Sequence, residues 1–105
     1  MIARVWRGWT AGGDADAYER FLRTELFPDV ARLEGFGGAH VLRRPAPDGE
    51  VEFVTVTLFA SLDAVRAFAG EDYETADVPP RARAVLARFD ERSAHYDTLL
   101  RPHTP

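Results

Sequence analysis

The chain of 105 residues is long enough for one domain with a single hydrophobic core. It contains no cysteine, which excludes disulfides, thiolate nucleophiles, iron–sulfur clusters and cysteine-ligated zinc. The net charge of −4, with acids and bases interspersed, argues against nucleic-acid binding. No apolar run approaches the ~20 residues of a membrane span. We therefore expect a cytoplasmic protein that binds neither nucleic acid nor a membrane.

The first two elements are predicted to be a strand and a kinked helix. Ile2 to Trp9 mixes apolar and arginine positions and ends at a glycine-rich break, which predicts a strand followed by a loop. From Asp14 or Asp16, either of which can cap a helix, apolar residues recur every three or four positions. Pro28 should kink or divide this helix, and Gly35 stands where a left-handed residue ends one. The apolar stripe of the helix is Tyr18, Phe21, Leu22, Leu26, Val30 and Leu33.

Two further strands are predicted to form a hairpin. Gly37 to Arg44 and Val51 to Phe59 flank the turn cluster Pro45 to Gly49. The strand from Val51 is apolar on both faces, and the helices of so short a chain can cover only one face of a sheet. A second subunit is the simplest cover for the other face, so the sequence predicts a homodimer.

The last third of the chain is predicted to hold two short helices and a final strand. Ser61 caps a helix that runs to Phe68, and a loop follows. The prolines at 79 and 80 open a further helical segment, and Arg92 to Leu100 is the last strand. Within that second helical segment, the residues predicted to point inward are Val85, Leu86 and Phe89.

The element order βαββαβ predicts a ferredoxin-like fold of the α+β class. Its antiparallel four-stranded sheet would carry the helices on one face. We expect one domain over residues 1–100 and a flexible tail over residues 101–105.

Histidines are the candidate acid–base residues. A neutral imidazole at His95 can take a proton from an acidic phenol or enol, and Asp97 lies on the same strand face. The alternative is a histidine satisfied by the backbone or facing solvent. His40 is a weaker candidate beside solvated arginines, and His103 in the tail is expected to be inert. These scattered histidines lack the spacing of a metal site, so neither metal nor cofactor is predicted.

The first strand carries an aromatic residue and two arginines. Trp6 could stack on a flat aromatic ligand or belong to the core. Arg4 and Arg7 must be paired or reach solvent. They could bind an anion in a cleft, or form salt bridges with Glu52, Asp97 or a residue across the dimer.

Aromatic residues elsewhere could wall or close a ligand cleft. Tyr73 lies in the loop after Gly70 and could act as a lid or be a surface aromatic. Phe53, Phe59 and Phe68 are expected to form the apolar wall.

Five short segments occur in order along nearly the whole chain: Val5 to Gly8, Leu33 to Ala39, Glu52-Phe53 leading to residues 57–62, Ala67 to Gly70, and His95-Tyr96. Together they resemble the antibiotic biosynthesis monooxygenase family of the dimeric α/β-barrel superfamily. The resemblance implies that two sheets pack face to face in a dimeric barrel, with a ligand cleft between sheet and helices in each subunit.

The chain departs from members of that family at several functional positions. Quinone-forming members place an Asn where this sequence has Thr55, and a Tyr at about Val65. These members and the haem-degrading ones place a Trp where this sequence has Phe59. The haem-ligating histidine has no counterpart on the predicted helices.

The sequence thus predicts a small homodimer that binds a planar or hydrophobic molecule, as a monooxygenase that needs no cofactor. His95 would be the base or hydrogen-bond partner, Trp6 and Phe59 the stacking wall, Thr55 a polar anchor and Tyr73 a gate. An isomerase or cyclase of similar substrates, and a non-catalytic binding or stress-response module, are the alternatives.

Overall fold

The computed structural model describes residues 1–76 and 78–100, which are built around one antiparallel sheet. The strand order is β2-β3-β1-β4, and β5 also pairs with β1. The predicted tail 101–105, including His103, lies outside the described residues. The strands are β1 (Ile2–Ala11), β2 (Phe36–Pro45), β3 (Glu50–Phe59), β4 (Leu86–Phe89) and β5 (Ala94–Asp97).

Two short strands share the fourth position of the ferredoxin-like sheet. β5 pairs with β1 from Ile2 to Val5, and β4 pairs with it from Gly8 to Thr10. The predicted α+β class and antiparallel ferredoxin-like arrangement are therefore confirmed, with the last strand divided in two.

The prediction that residues 85–89 extend a helix was wrong, whereas the last strand predicted over 92–100 is present as the shorter β5. The helix ends at Arg83, and Leu86 already pairs with Thr10. A register shift at Trp9/Thr10 brings Leu86 and Phe89, three residues apart, onto one face of the sheet. A bulge of this kind imitates helical spacing in the sequence.

The helices of the described chain pack against one face of the sheet. None of those helices is both long and apolar enough to cross a membrane. The helical segments are α1 (Ala15–Phe21), a π-helical turn (Leu22–Leu26), α2 (Phe27–Val30), α3 (Leu62–Ala69) and α4 (Pro80–Arg83), with 3-10 turns at Gly12–Asp14 and Pro47–Gly49.

Pro28 divides the first helix, as predicted. It has no N–H for the carbonyl of Thr24, and its ring would clash with that carbonyl in a regular helix. The chain widens instead, so that the N–H of Phe27 donates to the carbonyl of Leu22, five residues back. The hydroxyl of Thr24 donates to the carbonyl of Arg20 at 2.8 Å.

Gly35 adopts the left-handed conformation expected of it, with φ 85°. A Cβ at this position would lie 2.6 Å from the Cβ of Ala64 on α3. The glycine therefore permits both the turn into β2 and the close approach of α3.

The strand register separates an inner face, beneath the helices, from an outer face. Arg4 and Trp6 of β1 lie opposite Thr57 and Thr55 of β3 on the inner face. Alternate residues Val54, Val56 and Leu58 of β3 lie on the outer face and are half-buried. The prediction that β3 is apolar on both faces is confirmed.

Candidate functional site

A cavity of about 170 Å³ lies between the inner face and the helices. Its walls are mainly aromatic and aliphatic, and Arg4 is the one charged side chain among the described residues that line it. It is smaller than the ~300–1,000 Å³ typical of small-molecule sites, so a larger ligand requires side chains or a loop to move. The aromatic walls are Trp6, Tyr18, Phe21, Phe27 and Phe68, and the loop contributes Ala76, Val78 and Pro79.

Arg4 lies near the start of β1, lines this cavity and is only 7% exposed. Its guanidinium donates to the main-chain carbonyl of Tyr73, and its Nη1 lies 3.0 Å from Nε2 of His95. It also lies over the ring of Phe68, 5.4 Å from the centroid. We refer to Arg4, Tyr73 and His95 as the Arg4 cluster.

Glu52 and Arg7 are engaged away from the cavity. Glu52 lies on the outer face, where its carboxylate accepts from Arg44 at 2.8 Å. Arg7 is exposed and pairs with Asp90 at 2.8 Å. A salt-bridge role therefore fits Arg7, with Asp90 rather than Glu52 as its partner.

His95 lies on β5 directly opposite Arg4. Because arginine can only donate, Nε2 accepts and the proton of the neutral ring is on Nδ1. Nδ1 is buried and finds no hydrogen-bond partner among the described residues. Burial, reinforced by the charge of Arg4, lowers the pKa of His95, while Glu74 acts in the opposite direction. The imidazole is thus neutral at pH 7. It does not line the cavity itself but contacts Arg4, which does.

Tyr73 contributes its backbone and its ring to the cluster without lining the cavity. The ring meets that of His95 edge to face, with centroids 5.0 Å apart, and Arg66 lies 5.6 Å from its centroid. The loop is held next to it, because the carbonyl of Glu74 accepts from the N–H of Ser93 at 2.6 Å.

The remaining predicted site residues are divided between the cavity and the core. Trp6 lines the cavity, and its indole N–H donates to the carbonyl of Asp90 at 2.7 Å. Thr55 also lines it, and its hydroxyl is 3.4 Å from the carbonyl of Trp6. Phe59 is fully buried behind Phe68, with centroids 5.4 Å apart, and lies outside the lining.

Two polar residues of the cavity were missed by sequence reasoning. Tyr18 of α1 is 2% exposed, stands edge-on to Phe53, and has its pKa raised by burial. In the sequence Tyr18 is one more member of the apolar helix stripe, and only its phenolic hydroxyl distinguishes it from the other members. Ser93 lines the cavity with a buried hydroxyl that has no partner among the described residues. No sequence signal marks it.

His40 is exposed, and its register places it on the outer face, away from the cavity. Within residues 1–76 and 78–100, no group of three His, Asp or Glu residues is placed to hold a metal ion.

No protein-family model matches the sequence, and no curated protein is significantly similar to it. Solved structures do match over almost the whole chain. A Bacillus cereus protein assigned as an antibiotic biosynthesis monooxygenase superimposes with a TM-score of 0.64 at 17% identity, covering 100% of this chain and 97% of that one. SnoaB, a cofactor-independent oxygenase from Streptomyces nogalater, gives 0.57 at 23% identity and 95% and 94% coverage.

The haem-analogue complex of MhuD, with two manganese protoporphyrin IX molecules in each active site, gives a TM-score of 0.67 at 19% identity, covering 99% of this chain and 100% of that one. These likenesses show that the chain has the antibiotic biosynthesis monooxygenase fold.

The residues of this cavity do not fit a haem group. The histidines of the described chain, His40 and His95, lie on strands and do not line the cavity. Among the described residues that line the cavity, Tyr18 alone is of a type that ligates haem iron, and the volume of about 170 Å³ is below even the ~300 Å³ of a typical small-ligand site.

Proposed function

We propose that this chain, which has the antibiotic biosynthesis monooxygenase fold, is a homodimer that oxidises a planar aromatic molecule with dioxygen and without a cofactor. The observation that carries the proposal is an aromatic-walled cavity lined by Arg4, which contacts His95 and the carbonyl of Tyr73. Flat aromatic walls favour a flat ligand, since rings stack and meet edge to face at such surfaces. That SnoaB, with the same fold, is a cofactor-independent oxygenase adds support.

Each predicted site residue has a role in this proposal. His95 is neutral at pH 7 but does not line the cavity, and its one lone pair accepts from Arg4, so it takes the phenolic proton of the substrate only once the hydrogen bond to Arg4 is broken. Trp6 supplies the stacking surface, and Thr55 offers a hydroxyl anchor in the floor. Phe59 supports the wall from behind through Phe68, and Tyr73, whose carbonyl accepts from the lining residue Arg4, acts as a gate beside the cavity.

The reaction draws its electrons from the substrate. A dihydroxynaphthalene that loses its phenolic proton to His95 becomes electron-rich enough to pass electrons to dioxygen. One oxygen atom then forms a bond to a ring carbon, and the other leaves as water with the two hydrogens lost from the substrate. The product is the hydroxynaphthoquinone, with one dioxygen consumed for each quinone formed.

The outer face supports the homodimer. Leu42 and Tyr96 on this face are 55% and 58% exposed in the single chain, and Val54, Val56 and Leu58 are half-buried beside them. A group of apolar side chains of this kind on an uncovered sheet face marks an interaction surface. A second copy, presenting the same face about a two-fold axis, would cover it.

The proposal is tested by oxygen-electrode and absorbance measurements with a dihydroxynaphthalene, corrected for autoxidation with heat-denatured protein. We expect oxygen uptake and quinone formation in equal amounts, and a loss of at least about a hundredfold in His95→Ala. His40→Ala, on the outer face, is the matched control and should keep full activity. Ligand binding without oxygen uptake would refute the oxygenase and favour the isomerase, cyclase or binding protein. An unchanged rate in His95→Ala would remove its role as base.

A further inference from the structure

We propose that Ser93 is a ligand-binding residue of the cavity, and that its hydroxyl forms a hydrogen bond with an uncharged oxygen of the ligand, a hydroxyl or a carbonyl group. The inference rests on the cavity's proposed function as an aromatic-binding site. It adds to that function a residue that selects an oxygen-bearing aromatic molecule over a hydrocarbon of the same shape.

The backbone of Ser93 is held in the cavity wall. Ser93 comes one residue before β5, and its N–H donates to the carbonyl of Glu74 at 2.6 Å. Ala94 pairs with Val5 in antiparallel register, so Ser93 comes level with the next residue of β1, Trp6. Both Ser93 and Trp6 line the cavity. The serine is therefore placed beside the aromatic wall by its main chain, and its side chain takes no part in holding it there.

The side chain of Ser93 has a hydrogen-bonding capacity that the protein itself does not use. The residue is 6% exposed, and its Oγ is buried with no hydrogen-bond partner among the described residues. A hydroxyl in this state has lost its hydration without gaining a bond, which makes it unfavourable compared with alanine. The cavity that Ser93 lines is the space in which a bound molecule would supply the missing partner.

Two other polar residues of the wall have partners within the protein. The hydroxyl of Thr55 lies 3.4 Å from the carbonyl of Trp6. The guanidinium of Arg4 donates to the carbonyl of Tyr73. The hydroxyl of Ser93, in contrast, can donate to a ligand carbonyl or accept from a ligand hydroxyl, because it is both a donor and an acceptor and its hydrogen rotates. Such a bond in an apolar wall does not require a charged ligand, which would be costly to bury.

The test measures how the affinity for a naphthol changes relative to that for a methylnaphthalene of the same shape. We pair 1-naphthol and 2-naphthol each with the matching methylnaphthalene, and follow binding by isothermal titration of the full-length protein at pH 7, where a phenol is uncharged. The ratio of the two dissociation constants is compared between proteins, so the difference in hydrophobicity between the probes cancels. We expect Ser93→Ala to weaken the binding of at least one naphthol by about three- to tenfold, the value of one hydrogen bond, and to leave the methylnaphthalenes unchanged.

Thr10→Val is the matched control. The hydroxyl of Thr10 is also buried and has no partner within the described chain, but Thr10 does not line the cavity. The substitution should therefore leave both ratios at their native values. Without ligand, Ser93→Ala should unfold at the same urea concentration as the native protein or at a higher one, because it removes an unpartnered hydroxyl.

Unchanged ratios for both probe pairs in Ser93→Ala would overturn the assignment while leaving the aromatic site intact. An equal change in Thr10→Val would also overturn it, since the effect would then not come from the cavity wall. A lower urea midpoint for Ser93→Ala would contradict the proposal by showing that the hydroxyl is already bonded in the free protein. Failure of all the probes to bind would overturn the proposed site and this inference together.

Discussion

Replacing Phe68 by leucine tests whether the ring of Phe68 stabilises the charge of Arg4. The substitution keeps an apolar side chain on α3 but removes the ring that Arg4 overlies at 5.4 Å and that packs on Phe59 at 5.4 Å. An aromatic pair is worth about 0.5–1.5 kcal/mol, and a cation–π contact about 0.5–2 kcal/mol as it becomes desolvated. We therefore expect Phe68→Leu to lower the free energy of unfolding by about 1–3 kcal/mol.

Urea unfolding at one fixed protein concentration measures this loss and separates its two parts. The cycle of Phe68→Leu, Arg4→Gln and the double variant isolates the contact between the two side chains. The account predicts a coupling of about 0.5–2 kcal/mol, the range of the cation–π contact. A coupling indistinguishable from zero would show that Phe68 does not stabilise the buried guanidinium.

Three further predictions concern protonation, assembly and packing. Folding lowers the pKa of His95, so near and below the ordinary pKa of histidine the unfolded chain binds more protons than the folded one. The free energy of unfolding should therefore fall as the pH drops from 7 through the ordinary pKa of histidine. His95→Gln should flatten this urea-midpoint profile, and an equal slope in both proteins would contradict the assignment. Val56→Arg on the outer face should give a folded monomer by light scattering at micromolar concentration, and a persistent dimer would rule out this interface. Gly35→Ala should lower the free energy of unfolding by at least about 1–2 kcal/mol, the cost of a left-handed non-glycine residue. Adding Ala64→Gly should restore part of this loss, because it removes the Cβ that the new side chain would contact. No recovery in urea unfolding would mean that this contact is relieved in another way.

Local sequence signals were sufficient for most of the fold. These signals set the backbone conformation of only a few neighbouring residues. They are the proline at position 28, the glycine at position 35 and the turn between β2 and β3. β4 was missed because a bulge within it gives its inward residues Leu86 and Phe89 helical spacing, and only the pairing with β1, which lies far away in the chain, identifies the segment as a strand. A signal that depends on a distant strand is not visible in a local pattern.

The candidate site was predictable where it depends on strand alternation alone. Trp6 and Thr55 pair directly across β1 and β3, and both line the cavity. The contact of Arg4 with His95 depends instead on the pairing of β1 with β5, whose start and register were not predictable from composition. Tyr18 could not be separated from the core, because it shares the apolar helix stripe.

The central claim is that an aromatic molecule occupies the cavity at the Arg4 cluster. The two tryptophans test it directly, since Trp6 lines the cavity and Trp9 lies on the outer face between Arg7 and Arg88. In a ¹⁵N-labelled sample titrated with naphthoate, the indole N–H resonance of Trp6 should shift with saturation while that of Trp9 stays in place. A Trp6 resonance that does not move, or a shift confined to Trp9, would contradict the account.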